Sequence, residues 1–160
     1  MWSESKLEKF IDEAEQVWFE VCYSDRKGEE LDLNGYIFQV VDDERFDTIQ
    51  KVELFFNQYW NDKFTKTMMC NLKVLSINGE TATLLGDPPQ DLPCRVESLR
   101  ILESRPDQCE IRCVLSCETD RNRVIHYTIQ KSENDERIQI VSRTGTKSDC
   151  RYQPCNCLLD

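Results

Sequence analysis

Apolar residues recur along this chain with two distinct periods, and the change of period divides it. Within Phe46–Phe64, Ile49, Val52, Phe56, Tyr59 and Trp60 return every three or four residues with Phe55 beside them, while Gln50, Lys51, Glu53, Asn57 and Asn61 fill the other side. That spacing predicts an amphipathic helix with a heavy aromatic face, and Asp47 or Thr48 offers the side-chain oxygen that caps its first turn. Leu7, Phe10, Ile11, Ala14, Val17, Trp18 and Val21 carry the same period nearer the start. They predict a first helix of about five turns, opened by a capping box Ser5-Lys6-Leu7-Glu8 and closed at Gly28 in a polar loop, Asp25–Glu30. A short strand, Tyr36–Val41, follows the turn signal Asn34-Gly35.

Beyond Phe64 the pattern becomes extended. Cys70–Ile77 and Thr81–Leu85 flank Asn78-Gly79, whose two residues tolerate positive φ and so predict a tight hairpin. Asp87-Pro88-Pro89 cannot continue a paired strand and predicts a corner, and Leu92-Pro93 precedes a run from Cys94 to Leu102. In Cys109–Cys117 the apolar and small residues Cys109, Ile111, Cys113, Leu115 and Cys117 occupy every second position, giving a strand with one inner face. Turns at Arg105-Pro106-Asp107 and Asp120-Arg121-Asn122 flank that strand, Val124–Lys131 follows, and Glu133–Glu136 leads to a last strand, Ile138–Ser142. The expected fold is α+β: two main helices packed on a curled, mostly antiparallel sheet of about five to six strands. One domain spans 1–143, and a Cys-rich tail spans 144–160.

Charge and cysteine content narrow the setting. The 160 residues carry 30 acidic and 20 basic side chains, a formal charge of -10. Such a chain repels phosphate backbones and anionic lipid, which argues against nucleic acid and membrane surfaces and favours a partner with a basic surface. No run approaches the roughly 18 apolar residues of a membrane span. Nine cysteines, Cys22, Cys70, Cys94, Cys109, Cys113, Cys117, Cys150, Cys155 and Cys157, point to disulfides and an oxidising compartment, with a leader removed. The alternative is a cytoplasmic protein with reduced cysteines. No Asn-x-Ser/Thr acceptor occurs to mark a glycosylated surface.

Candidate chemistry is sparse. His126, the sole histidine, lies in an extended run on the more polar alternate set with Val124, Thr128 and Gln130, so solvent is its expected surrounding. Phe55, Phe56, Tyr59, Trp60 and Phe64 are core by composition; were they instead to line a pocket between helix and sheet, Tyr59, Asp62 and His126 would supply its polar groups. Cys109, Cys113 and Cys117 stand about 13 Å apart in succession along a strand, too far to share one metal. They fit either pairing with Cys22, Cys70 or Cys94, or burial as small hydrophobes. Cys150-x4-Cys155-x-Cys157 lacks a structural-zinc spacing and reads as a tail stapled to the sheet by disulfides. No phosphate-binding, dinucleotide-binding, hydrolase or metalloprotease motif is present, and no cofactor is implied.

The order of long helix, early strand, second helix and strand meander resembles the cone-shaped nuclear-transport-factor-two-like fold of the cystatin-like α+β group, over about Ser5–Ser142. Tyr36-Ile37-Phe38-Gln39-Val40, Phe46-Asp47-Thr48, Phe64-Thr65, Ile77-Asn78-Gly79 and Gly86-Asp87 are similar in order and spacing to small secreted Gram-positive proteins that inhibit cell-wall DL-endopeptidases. The resemblance implies a surface-acting inhibitor and carries over no individual inhibitory residue. The expected function is an exported, non-catalytic binding or inhibitory domain with an extracellular or envelope protein as partner. The alternative is a small-molecule binder or isomerase-like enzyme with its site between central helix and sheet.

Overall fold

A computed structural model describes residues 1–86, 93–118, 120–145 and 149–155. Three helices and two four-stranded antiparallel sheets form an α+β fold. Helix α1 spans Glu4–Cys22 and buries Leu7, Ile11, Ala14, Val17 and Trp18 on one stripe. Its start lies ahead of the expected capping box: Ser3 is the N-cap, its carbonyl accepts the Leu7 amide at 2.9 Å, and its side chain makes no capping bond. Its stop comes before Gly28, because Arg26 supplies the donors that a glycine turn would otherwise provide. The Arg26 guanidinium donates to the Val21 carbonyl at 3.1 Å and the Cys22 carbonyl at 3.2 Å, satisfying the free end of the helix.

The polar stretch expected as a loop is a strand. β1 (Arg26–Leu33) pairs with β2 (Tyr36–Val41) through the Asn34-Gly35 turn, where both residues take positive φ. As the edge of its sheet, β1 needs little apolar content, and its Lys and Glu side chains suit that position. The expected central helix divides in two: α2 is Ile49–Asn57 and α3 is Asp62–Asn71, capped by the side chains of Thr48 and Asn61. α3 therefore takes up Cys70, and strand β3 is only Val74–Ile77, joined through Asn78-Gly79 to β4 (Glu80–Leu84). The order β1-β2-β4-β3 gives this sheet its own small core of Phe38, Val40 and Ala82. The corner expected at Asp87-Pro88-Pro89 lies outside the described residues.

The second sheet runs in sequence order: β5 (Cys94–Ser104), β6 (Gln108–Cys117), β7 (Asp120–Lys131) and β8 (Ile138–Thr144). β7 begins at the expected turn, since Asp120 already pairs with Cys117. Cys109, Ile111, Cys113 and Leu115 point inward, as their alternation requires, and meet Ile125, Tyr127 and Ile129 of β7. Helix α1 lies along the outer edge of β5. There the Asp12 carboxylate accepts the Val96 amide at 2.7 Å, Glu4 accepts the Ile101 amide at 3.3 Å, and Gln16 donates to the Cys94 carbonyl at 2.8 Å. The break between α2 and α3 is clamped to β8: Ile140 donates to the Tyr59 carbonyl at 2.7 Å and accepts the Asn61 amide at 3.1 Å.

Among the described residues, two disulfides fasten this frame. Cys94–Cys117 joins directly opposed residues of β5 and β6, and Cys70–Cys155 joins the tail to α3. The described part of the tail is thus stapled through Cys155 to a helix, where a staple to the sheet was expected. Cys22, Cys109 and Cys113 are free thiols, the last two wholly buried, so of the two readings for Cys109 and Cys113 the structure takes the small hydrophobe. Cys117 alone of that strand set forms a disulfide. Cys157 lies outside the described residues. No helix among the described residues is long and apolar enough to cross a membrane.

Candidate functional site

Glu15 stands four residues after Ile11 and four before Phe19, on the buried stripe of α1, and is fully inaccessible to solvent. A carboxylate there requires partners. The Arg143 Nε donates to Glu15 Oε1 at 2.9 Å and the Arg151 Nη2 to Glu15 Oε2 at 2.8 Å, while the Tyr127 hydroxyl completes the shell. Arg151 also donates to the Glu15 backbone carbonyl at 2.8 Å and binds Asp149 through Nε and Nη2 at 3.0 and 2.8 Å. Both guanidiniums lie over the Tyr152 ring, 4.4 Å away for Arg143 and 4.7 Å for Arg151. Two anions and two cations are thereby neutralised in the interior, with Arg123 at the rim 4.0 Å from Asp149.

The tail residues Asp149–Tyr152 reach this position because three devices hold them. The Cys70–Cys155 disulfide anchors their far end. The Asn71 carboxamide donates to the carbonyls of Arg151 and Gln153 at 2.8 and 2.9 Å. Tyr152 packs against Trp60 and Phe64, with ring centroids 5.2 and 5.9 Å apart. The segment read from sequence as a polar appendage thus contributes buried side chains to the domain.

Burial would push the Glu15 carboxyl up, but Arg143 and Arg151, with hydrogen bonds from Arg143 and Tyr127, outweigh it and hold the group at about 2. Burial and the Glu15 charge drive the Tyr127 phenol well up. Burial alone would lower the Arg143 and Arg151 guanidiniums, yet the surrounding acids and phenols hold both above their ordinary range. Glu15, Tyr127, Arg143 and Arg151 therefore each keep one protonation state around neutral pH. A general acid or base needs the opposite property.

The sequence candidates do not converge on one site. Phe56 and Trp60 are fully buried core residues, and the Trp60 indole donates to the Ala14 carbonyl at 3.0 Å. Tyr59 is half-buried, its hydroxyl donating to Glu13 at 3.1 Å, and burial beside that carboxylate pushes its phenol up to about 12. Asp62 is exposed on the first turn of α3. His126 is exposed on the outer face of β7, between Arg112 and Thr144 on the neighbouring strands. Where the alternative reading puts a pocket, between central helix and sheet, Trp60, Phe64 and Tyr152 pack ring against ring. Among the described residues, no three His, Cys, Asp or Glu side chains are grouped to hold a metal ion.

Two adjoining surface concavities lie around the end of α1. A groove of about 580 Å3 runs along the helix past Asp12, Glu13, Gln16 and Glu20 to Tyr23, with Lys9 and Arg95 at its sides. A second cleft of about 500 Å3 begins at Tyr23 and passes between Trp18, Leu72, Leu84 and Leu85. Its polar lining includes Cys22, Gln39 and Asn71. Tyr23, the C-cap of α1, belongs to both and is 55% exposed despite packing parallel to Phe19. Sequence reasoning missed both the groove and the Glu15 cluster. The signal for the cluster was an acid at a core position of α1; the second cleft depends on residues distant in sequence. No protein-family model matches this chain, and no curated protein matches it in sequence.

Proposed function

We propose that this chain is an exported, non-catalytic binding domain, with the cone-shaped architecture of nuclear-transport-factor-two-like proteins, that acts through its surface on an extracellular or envelope protein. The observation that carries the reading is the interior occupied by the chain's own Asp149–Tyr152, pinned by Cys70–Cys155. A domain of this kind that bound a small molecule inside would need that volume. The two disulfides suit an oxidising compartment. Recognition then falls to the groove on α1, where Asp12, Glu13 and Glu20 outnumber Lys9 and Arg95 on a chain of charge -10. Lys9 is held only by a 3.9 Å contact to Glu13 with four-fifths of its side chain exposed, so a partner's cation displaces it readily. Inhibition of the partner is one form that such binding takes.

The test is carboxylate-to-amine cross-linking of the oxidised protein to an extracellular or envelope fraction, with the linked residues identified by mass spectrometry. The expected links lie at Glu13 and Glu20 and vanish in a Glu13→Lys/Glu20→Lys variant. Partner capture unchanged by that variant, or turnover of a small molecule by the purified domain, overturns the proposal.

A further inference from the structure

Among the described residues, Tyr23 and Leu85 are two of the few large apolar side chains left exposed, at 55% and 46%, and both line the cleft between α1 and the first sheet. We infer that the α1 groove and this cleft form one recognition track for an extended peptide segment of the partner. The segment places a Lys or Arg over α1 and an aliphatic side chain between Tyr23 and Leu85. This inference rests on the reading of the groove as the recognition surface and adds the chemistry of what it takes.

Three features support that occupant. The groove offers carboxylates from Glu13 and from Glu20, whose 3.3 Å pair with Arg45 is exposed and so readily exchanged for a partner's cation, and the adjoining Tyr23 ring gives that cation an aromatic wall. The cleft offers Trp18, Leu72 and Leu84 as its apolar sides. Of its two basic lining residues, Arg26 directs its guanidinium to the Val21 and Cys22 carbonyls and the Thr83 hydroxyl, and Lys73 donates to the Cys155 sulfur at 3.2 Å, so both are engaged inside the chain and do not call for an anionic ligand. The Gln39 side chain makes no hydrogen bond to another described residue and can pair with a peptide backbone group. Both hollows include Tyr23, and side chains two positions apart on an extended segment share one side roughly 7 Å from each other, so the segment assigned to the track carries its cation and its aliphatic residue spaced by one.

Binding of a degenerate library of short capped peptides with Lys-x-Leu at the centre, read by fluorescence polarisation on the oxidised protein, tests this. Leu85→Ser is expected to weaken the selected peptide about tenfold, the effect of exposing one aliphatic side chain. The same variant should not alter binding of that peptide's Lys-x-Ser analogue. Glu20→Lys should weaken both peptides, and Tyr23→Ala should weaken both most. If Glu20→Lys weakens binding but Leu85→Ser does not, the track is overturned and the α1 groove alone stands. If no library member binds below about 1 mM, the track is overturned, and the cross-linking result decides the groove separately.

Discussion

Replacing Glu15 by Gln is the sharpest test of the interior described above. The substitution preserves shape but leaves Arg143 and Arg151 buried, each with only 3% of its side chain exposed, facing a neutral amide. Removing one partner of a buried ion pair costs roughly 3–5 kcal/mol, because the remaining charge stays desolvated. The carboxyl's own displacement gives an independent figure: from an ordinary 4.5 to about 2 corresponds to roughly 3 kcal/mol. Both routes place the loss near 3 kcal/mol at pH 7, which moves a urea midpoint down by about 1–3 M. The sign follows from linkage. A carboxyl depressed in the folded state contributes stability that is fully present above 4.5 and is lost as pH falls through about 2. Urea unfolding of wild type and Glu15→Gln at pH 7, 4.5, 3 and 2 should therefore show a gap that is widest at pH 7 and closes towards pH 2. A gap below about 1 kcal/mol at pH 7, or one that stays constant with pH, would refute the claim that Glu15 is ionised and anchors the two arginines.

Other consequences are quicker to check. Loss of Cys70–Cys155, which closes a separation of 85 residues, should destabilise by about 4–5 kcal/mol, against about 3–4 for Cys94–Cys117 with a separation of 23, measured by denaturation of the paired Ser variants. Native alkylation should modify Cys22 well before Cys109 and Cys113, since both of those are enclosed and burial pushes Cys113 up to about 12; mass spectrometry of timed samples reads the order. Gly145→Ala should cost more than about 2 kcal/mol in the same denaturation assay, because its φ is +128° and a Cβ would stand 2.3 Å from the Val124 carbonyl oxygen. His126→Ala should leave stability within about 0.5 kcal/mol, as an exposed side chain with no hydrogen bond to another described residue predicts.

Local signals in the sequence were legible where the chain itself supplies the cause. Asn78-Gly79 marks a hairpin because both residues adopt positive φ, 51° and 80°, whatever surrounds them. The inward face of β6 was legible from strict alternation. The break after Asn57 was not, since the apolar period continues through it; what ends α2 is Ile140, some 80 positions on, exchanging backbone hydrogen bonds with Tyr59 and Asn61. β1 was hidden for the opposite reason, because an edge strand made of Arg, Lys, Gly and Glu has the composition of a loop. The tail misled most. Asp149 and Arg151 look like solvated charges in one dimension, and only the Glu15–Arg143 pair, contributed by α1 and β8, makes their burial favourable.

The placement of α1 beside β5 also bears on how copies of this domain behave at high concentration. An uncovered strand edge invites a foreign strand to dock and propagate, the first step of fibrous aggregation. Along β5, carboxylates of the chain's own helix act as surrogate carbonyls: Asp12 occupies the Val96 amide and Glu4 the Ile101 amide. An incoming strand would have to displace these side chains and would meet negative charge in doing so. Asp12, one of the carboxylates lining the groove along α1, thus also acts as a gatekeeper against polymerisation.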